Sequence, residues 1–387
     1  MSRRIRLVQF TNTFHLGGGE VQFVELLRGL PRERYDLSVL ALEASGPLLK
    51  DVRAMGLEPH VFPLSSSFMR PHTARQVGRL ASWLRENRVD VVHAHDFYTT
   101  LLAVPACRLA RVPVVVGRLD LVHWHGRARH AMLAAATHAA SHVIANAEAV
   151  RRLVVDTERV SARKVSVIYN GLDLRRFDER LAAGPAAPLP ELPEGAPLIT
   201  LVANTSHEVK RQEDFLEALA QARRQVPTAQ AFLIGDGPRR PFLEERARAL
   251  GLTGAVHFLG HRTDVPAVLS RATVGVLCSR HEGLSNAVME GMAARLPMVV
   301  TDAGGNAELV AHGERGFVVP PLAPAALAEA LVRVLSAPER ARRMGQAGRR
   351  FVEETLSLER MIAAHDSLFS RLAGVPELPG PVDVQAA

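Results

Sequence analysis

The chain has 387 residues, of which 47% are hydrophobic and 22% charged, and its formal net charge is +7. These values indicate two globular domains and exclude an intrinsically disordered chain. No apolar run reaches about eighteen residues and the first ten residues predict a strand, so neither a spanning helix nor a signal peptide is expected. Two distant cysteines, Cys107 and Cys278, have no metal-ligand spacing around them and predict buried thiols in a reducing compartment. A cytoplasmic location is therefore favoured.

Short Val- and Ile-rich runs alternate with longer helical patterns through the first half of the chain. Strands are predicted at 5–12, 35–42, 58–64, 89–95, 112–118, 141–147 and 165–171. Helices are predicted at 19–30, 48–56, 74–88, 99–111 and near 127–140. Continuous β-branched runs joined by helices predict a parallel sheet covered on both faces.

The alternation stops at 178–197, where Pro, Gly and Ala are dense, and this composition predicts a linker. It then restarts, with strands predicted at 198–204, 229–237, 255–261, 274–279, 297–305 and 316–320. Helices are predicted at 212–225, 242–251, 265–272, 286–295 and 355–373, before a Pro-rich tail at 374–387. The sequence thus predicts an α/β protein with two Rossmann-like domains, 1–177 and 198–354, facing across a cleft.

In such domains ligands bind where strands end and loops lead into helices, and three loops stand out there. The stretch 15–20, "HLGGGE", offers a close backbone approach and a helix N-terminus to an anion, although a simple tight turn explains it equally well. The stretch 202–214 carries Lys210 and Arg211, which would neutralise a leaving diphosphate. Taken alone it is a solvated basic turn.

The third loop, "RHEGL", follows the strand at 274–279 and leads into a helix that Ser285 or Asn286 is expected to cap. Backbone N–H groups of 284–287 would hold a diphosphate there. Glu282 would project beside that anion, and Glu290 would lie further along the helix on the cleft side. A carboxylate in an apolar setting needs donors, and sugar or ribose hydroxyls would supply them.

The stretch "SRHEGLSNAVMEGMAARLPMVVTDAGGNAELV" resembles the E-x7-E segment of retaining GT-B glycosyltransferases of family 4. "GGGE", "VSVIYNGLDLRRF" and "LIGDGPRRPFLEERARALGL" resemble further motifs of that family, so the resemblance covers about residues 5–370. It implies the GT-B fold, with the C-terminal helix 355–373 crossing back to the N-terminal domain. The chain contains no D-x-D, which fits a transferase that requires neither a metal nor another cofactor.

The resemblance implies site roles for matching positions. The expected catalytic residues are Glu282, Lys210 and Arg211. The expected donor-binding residues are Gly18, Gly19, Asn204, Arg262, Gly283, Leu284, Ser285, Asn286, Ala287 and Glu290. Among these, Glu290 is expected to bind the ribose and Arg262 to frame the base. His95 and Asp96, at the end of a first-domain strand, are expected to face the acceptor.

Two positions depart from the family pattern. Asn204 stands where the family usually has Arg, so one cation of the leaving-group pair is missing unless Arg211 or Arg280 substitutes. Leu119 stands where many members carry His, and Arg118 or His123 would have to replace it on the acceptor side. Both departures leave the acceptor side and the rate open.

The leading hypothesis is a retaining, metal-independent glycosyltransferase. It would move a hexose-type sugar from a nucleoside diphosphate sugar to a glycan or lipid-linked acceptor, in cell-surface polysaccharide or lipopolysaccharide synthesis. The alternatives are a catalytically inactive GT-B scaffold and a nucleotide-sugar epimerase. The basic face around Arg70, Arg75, Arg79, Arg85 and Arg88 would permit peripheral contact with an anionic membrane, but a solvated helix face explains it equally well. Nucleic-acid binding is not expected, because no aromatic residues interleave the basic stretches.

Overall fold

The computed structural model describes residues 3–64, 71–121 and 126–377, and these form two compact units. The first unit comprises Met1–Gly171 and Leu358–Ala387, and the second comprises Leu172–Ser357. Each unit is built around one parallel sheet covered by helices, as the Val- and Ile-rich runs predict.

The first unit contains a sheet of seven strands within its described residues, in the order β3-β2-β1-β4-β5-β6-β7. Its strands are β1 (Ile5–Thr11), β2 (Tyr35–Ala41), β3 (His60–Val61), β4 (Val91–Ala94), β5 (Val114–Arg118), β6 (His142–Ala145) and β7 (Val165–Val167). Its first helices are α1 (Gly18–Gly29), α2 (Leu49–Ala54), α3 (Pro71–Glu86), α4 (Phe97–Ala110), α5 (Arg127–Ala139) and α6 (Glu148–Arg152). Every strand pair is parallel, with Leu7 of β1 level with Leu37 of β2 and Val91 of β4.

The second unit contains a sheet of six parallel strands among the residues described, in the order β10-β9-β8-β11-β12-β13. Its strands are β8 (Leu198–Val202), β9 (Gln230–Ile234), β10 (Val256–Gly260), β11 (Val274–Leu277), β12 (Met298–Thr301) and β13 (Gly316–Val319). Its helices are α7 (Leu174–Ala182), α8 (Gln212–Ala222), α9 (Arg240–Ala249), α10 (Val265–Leu269), α11 (Asn286–Ala293), α12 (Asn306–Leu309), α13 (Pro324–Leu335) and α14 (Pro338–Thr355). Buried Leu, Val, Ala and Phe side chains fill its core.

The last helix, α15 (Leu358–Ala373), belongs to the first unit and packs against α1. Its apolar face contributes Met361, Leu368 and Phe369 to the same core as β1 and β2. Asp366 fixes the helix in place, because it accepts hydrogen bonds from Arg34 Nε at 2.6 Å and from the Tyr35 hydroxyl. Burial and the bond to Asp366 raise the pKa of Tyr35, which keeps the hydroxyl protonated as the donor.

Several elements differ in length from the sequence predictions. The strand predicted at 58–64 is reduced to His60–Val61, because Pro59 and Pro63 flank it and cannot donate to a neighbouring strand. The linker predicted at 178–197 begins inside α7, whose N-terminus is capped by Asp173 accepting from Arg176 N at 2.9 Å. The helix predicted at 355–373 starts at Leu358. The stretch 321–354 carried no prediction, yet it forms α13 and α14, each with Pro at its first position.

Candidate functional site

The second unit has a switch in strand order between β8 and β11, which lie side by side at the centre of its sheet. Connections from these two strands lead to opposite sides of the sheet, so their carboxyl ends border a crevice where ligands bind in such folds. The loop after β8 carries Lys210, and the loop after β11 carries Glu282. The two loops that sequence analysis singled out in this unit therefore meet at one place.

Lys210 and Glu282 form an ion pair across this crevice, with 2.6 Å between Lys210 Nζ and Glu282 Oε1. The Glu282 side chain is 10% exposed and that of Lys210 is 24% exposed. A largely buried carboxylate is stable only with a cationic or hydrogen-bonding partner. Lys210 supplies that partner in the absence of a ligand. A cation and a hydrogen-bond acceptor are thus held side by side at the carboxyl ends of β8 and β11.

The turn that carries Glu282 packs against two glycines that follow β12, Gly304 and Gly305. Gly304 has φ +57°, and a Cβ placed on it would lie 2.0 Å from the carbonyl oxygen of Glu282. Gly305 N donates to Gly283 O at 2.7 Å. Gly304 was not among the predicted site residues, although a glycine pair three residues after a buried strand can mark such a close approach.

Replacing Gly304 with alanine is expected to displace the Glu282 turn and to lower, at least tenfold, the glycosyltransferase activity that the sequence resemblance implies. The new methyl group meets backbone, which cannot rotate away, and the left-handed conformation adds a cost of about 1–3 kcal/mol. Gly313→Ala is the matched control, because Gly313 has φ +84° but only Arg340 Nη2, at 4.0 Å, near its Cβ position. Thermal melts and initial rates of both variants check this, and equal activity in the two would contradict it.

The helix after this turn begins as predicted, because Ser285 caps α11 by accepting from Val288 N at 3.4 Å. Gly283 and Leu284 lie in the turn, and Asn286 and Ala287 are the first two residues of the helix. The N-terminal dipole end of α11 therefore lies beside the Lys210–Glu282 pair. The assignment of residues 283–287 to a diphosphate stays a prediction.

Glu290 lies in α11 and is partly buried, and no group among the described residues donates a hydrogen bond to its carboxylate. Burial raises the pKa of Glu290 to about 7, against the opposing charge of Arg180. A carboxylate that is desolvated yet lacks a donor is destabilised when ionised. A ligand hydroxyl would supply the missing donor, as expected for the proposed ribose contact.

Two further predicted site residues of this unit, the catalytic candidate Arg211 and the donor-binding candidate Arg262, are occupied by internal contacts. Arg211 pairs with Glu213 at 2.9 Å and with Asp214 at 2.7 Å. Arg262 makes two bonds to Asp264 and a third to the carbonyl of Ala187, so its guanidinium holds the chain after α7 in place. Its hydrogen bond holds the pKa of Asp264 down at about 2. These guanidinium groups have structural partners that the sequence did not reveal.

Asn204 stands where the resembled family usually has an Arg, and Arg280 was predicted as one possible substitute for that cation. Asn204 is exposed, and its side-chain oxygen accepts from Ser206 N at 3.3 Å. Arg280 is also exposed, and within the described ranges it forms no ion pair. Of the two proposed substitutes, Arg280 is therefore the better placed, since Arg211 is already paired with two carboxylates.

In the first unit the glycine-rich loop leads into α1, with Gly18 and Gly19 as its first two residues. The Glu20 side chain lies over the start of this helix. A Cβ placed on Gly17 would lie only 2.3 Å from Glu20 Oε2. Burial raises the pKa of Glu20, opposed by a backbone hydrogen bond. The chain's own carboxylate thus occupies the helix end that sequence analysis assigned to a diphosphate.

His95 and Asp96 follow β4, as predicted, and both are engaged locally. His95 donates from Nε2 to Gln9 Oε1 at 2.6 Å, and burial lowers its pKa to about 3. Asp96 caps α4 by accepting from Tyr98 N and Thr99 N, while its Oδ2 is buried without a partner in the described structure. Burial raises the pKa of Asp96 to about 6.

Arg118, a predicted substitute on the acceptor side, is engaged in a buried ion pair, and its contact with an acceptor stays a prediction. Its side chain is 2% exposed and forms two bonds to Glu158, at 2.6 and 2.7 Å. Glu158 lies 40 positions along the chain, which is why the sequence did not reveal the pair. His123, the other predicted substitute on the acceptor side, lies outside the described residues.

No group of three or more His, Cys, Asp and Glu is arranged to hold a metal ion in residues 3–64, 71–121 and 126–377. Across the same ranges no helix is long and apolar enough to cross a membrane. Cys107 and Cys278 are free and buried, as predicted, and burial raises the pKa of both thiols.

Two family models match consecutive parts of the chain. Residues 16–176 match "Glycosyltransferase Family 4", and residues 189–351 match "Glycosyl transferases group 1". The first match lies mainly in the first unit, and the second lies wholly in the second unit.

Individual proteins are similar over most of their length. A glycogen synthase of Mycobacterium tuberculosis is 29% identical over 331 residues, which cover 77% of this chain and 74% of that protein. The UDP-Gal:alpha-D-GlcNAc-diphosphoundecaprenol alpha-1,3-galactosyltransferase of Escherichia coli is 27% identical, covering 75% and 77%. The crystal structure of Anabaena Alr3699/HepE in complex with UDP and glucose superposes with a TM-score of 0.80 at 20% identity, covering 95% of this chain and all of that one.

Proposed function

This chain belongs to the GT-B glycosyltransferases, and we propose that it transfers a hexose-type sugar with retention of the anomeric configuration and without a metal ion. It uses a nucleotide-sugar donor, as its relatives do. The proposed acceptor is a glycan or a lipid-linked sugar in cell-surface polysaccharide or lipopolysaccharide synthesis. The observation that carries the proposal is the Lys210–Glu282 pair at the carboxyl ends of β8 and β11.

In the proposed reaction, the nucleotide-sugar donor separates Lys210 from Glu282, and each residue then binds a different part of the donor. The diphosphate takes Lys210 and the N-terminus of α11, and Glu282 then accepts a hydroxyl of the donor sugar. The acceptor oxygen attacks the anomeric carbon on the face from which the phosphate departs. The bond between the anomeric carbon and the phosphate oxygen breaks, and the proton of the acceptor hydroxyl passes to the departing phosphate. No enzyme nucleophile is required. Lys210 and the N-terminal dipole of α11 stabilise the negative charge on the departing diphosphate, which a metal ion would otherwise neutralise.

The test is thermal stabilisation by UDP-, GDP-, ADP- and CMP-sugars, repeated with Glu290→Ala and followed by product analysis. UDP-sugars are the first choice, because the Escherichia coli relative uses UDP-Gal and the Anabaena structure holds UDP. The expected result is stabilisation by one nucleotide class that is lost in the variant. The proton NMR spectrum of the product should then show the donor's anomeric configuration, with rates unchanged in excess EDTA. An inverted product or loss of rate in EDTA would contradict retention or metal independence respectively.

The same assay separates the alternatives. An epimerase would convert the donor sugar without releasing nucleoside diphosphate. An inactive scaffold would show neither nucleotide-dependent stabilisation nor release of nucleoside diphosphate. Hydrolysis of the donor in the absence of an acceptor would exclude both.

We also propose that the first unit contacts an anionic membrane surface. The whole positive excess of the chain falls in that unit, where 25 Lys and Arg face 18 Asp and Glu, while the second unit has 22 of each. The exposed arginines include Arg75, Arg79 and Arg85 of α3. A basic surface of this kind is attracted to acidic lipids by about 1 kcal/mol per cation.

The protein is expected to sediment with vesicles that contain phosphatidylglycerol at low ionic strength and to dissociate in 0.5 M salt, because surface charges are then screened. Replacing Arg75, Arg79 and Arg85 with Gln should weaken binding about a hundredfold. The matched control replaces three exposed arginines of the neutral unit, Arg342, Arg343 and Arg350. Equal loss in both triple variants would assign the binding to net charge alone and contradict a docking face.

A further inference from the structure

The first unit contains a small, partly open cavity of about 30 Å³, at the carboxyl edge of its sheet. Its walls come from the elements after β1, β4, β5 and β6, and from α15. They include Gly19, His95, Leu119, Asn146 and His365. The volume suffices for one or two groups the size of water, and therefore for one hydroxyl or hydroxymethyl group.

Three histidines line this cavity, and one ring nitrogen of each lies within hydrogen-bond distance of an oxygen. His93 Nδ1 and His95 Nε2 both donate to Gln9 Oε1, at 3.1 and 2.6 Å. His365 Nδ1 donates to the carbonyl oxygen of Met361 at 2.8 Å. The remaining nitrogen of each ring is consequently an acceptor. Nε2 of the same Gln9 amide is a buried donor that has no partner in the described structure.

The imidazole rings are close together and neutral. The His93 ring centroid lies 3.9 Å from that of His95 and 5.7 Å from that of His365. Burial lowers the pKa of His365 to about 4, and burial together with the neighbouring rings lowers that of His93 well below its usual value. A fourth acceptor is present, because Asn146 is 4% exposed and its Oδ1 has no partner in the described structure.

This arrangement selects the chemistry of a ligand. Buried polar atoms need a partner, and here Asn146 Oδ1 needs a donor while Gln9 Nε2 needs an acceptor. Neutral imidazoles give no charge to attract an anion, and an apolar group would leave every acceptor unsatisfied. A hydroxyl group donates a hydrogen bond and fits the volume. The donor side of the reaction is assigned to the other unit, which leaves the second substrate for this cavity.

We propose that this cavity binds one hydroxyl group of the sugar acceptor, with His95, His365 and Asn146 as positioning residues. The proposal rests on the transferase function proposed above. It adds a specificity determinant. A sugar substrate whose hydroxyl at that position is methylated or missing would leave the polar groups of the cavity without a hydrogen-bond partner. It also makes α15, the last helix of the chain, part of substrate recognition.

The test uses protein with 15N-labelled histidine, saturated with UDP and titrated with methyl α-D-glucopyranoside, methyl α-D-galactopyranoside and methyl α-D-mannopyranoside. At least one glycoside is expected to move the unprotonated-nitrogen resonances of His95 and His365 upfield. His142 serves as the internal control, because it is buried and its pKa is likewise lowered to about 4, but it bonds Ser166 and lies outside the cavity.

Two variants complete the test. His365→Leu should weaken that glycoside about five- to tenfold, the value of one hydrogen bond, while His142→Leu leaves its affinity unchanged. Asn146→Ser serves if His365→Leu does not fold. Release of UDP from a UDP-sugar into water should be unaffected in His142→Leu, whose side chain lies outside the cavity. Glycoside binding without histidine shifts, no shift with any glycoside, or equal loss in His365→Leu and His142→Leu would overturn the proposal. Absence of nucleotide binding and of UDP release in the unaltered protein would instead refute the transferase function.

Discussion

Lys210→Met is expected to lower kcat/KM by a factor of about 10²–10³ and to reduce the free energy of unfolding by about 1–3 kcal/mol. The activity should fall because the cation that we propose to stabilise the departing phosphate is lost. The stability falls because the Glu282 carboxylate, 10% exposed, is left without its partner at 2.6 Å. Initial rates with the preferred donor and urea unfolding curves measure the two effects separately.

The double variant Lys210→Met with Glu282→Gln distinguishes a structural role from a functional one. It removes both charges, so stability should return close to that of the unaltered protein while activity stays low. Arg246→Met is the control for removal of one ion-pair partner, because Arg246 and Glu217 form an exposed pair, 41% and 34% accessible. That variant should lose less than about 1 kcal/mol and no activity. Recovery of activity in the double variant would show that Lys210 acts only by supporting the fold.

Glu290→Gln is expected to raise the melting temperature at pH 8 and to weaken nucleotide binding at least tenfold. Burial raises the pKa of Glu290 to about 7, so the folded protein holds a proton that the unfolded chain releases between about pH 4.5 and 7. The free energy of unfolding therefore falls as pH rises through that window and stays lowered above it. After allowance for partial exposure, the gain from removing the charge is about 1–2 kcal/mol at pH 8 and vanishes near pH 4.5.

Nucleotide affinity should show the opposite pH dependence. A ribose hydroxyl donates best to the ionised carboxylate, so binding to the unaltered protein should weaken as pH falls from 8 to 6. In Glu290→Gln this dependence should be absent. Calorimetric titrations of UDP at three pH values, alongside thermal melts at the same values, provide the comparison. A variant that gains no stability at pH 8, or keeps the pH dependence of affinity, would show that Glu290 is not the titrating group.

Periodicity and turn chemistry made the overall architecture predictable from the sequence. Continuous Val and Ile runs identified the strands, and the Ser285 cap was predictable because a small polar residue precedes an apolar helical pattern. Glu282 and Lys210 were both identified, since each follows a strand end where ligands bind. That they form one ion pair was not predicted, because the pairing joins loops 72 positions apart.

The contacts that the sequence did not reveal have the same physical origin. Arg118 was predicted to replace a missing His on the acceptor side, yet it pairs with Glu158, 40 positions along the chain. Gln9 was not among the predicted site residues, although a buried amide in an apolar run marks a hydrogen-bonded cluster. His365 received no attention because only the return of α15 to the first unit brings it near His93. Long-range pairings of this kind depend on packing, which local pattern does not encode.

The return of α15 also has a consequence for synthesis on the ribosome. The second unit is one continuous segment, so it can complete its core while the chain is still growing. The first unit begins earlier but lacks Met361, Leu368 and Phe369, and the Asp366 clamp, until α15 emerges. At 5–20 residues per second, the roughly 190 intervening residues impose a delay of about 10–40 s. We expect the later-made unit to fold first, and the exposed core of the earlier one to be the part that chaperones protect.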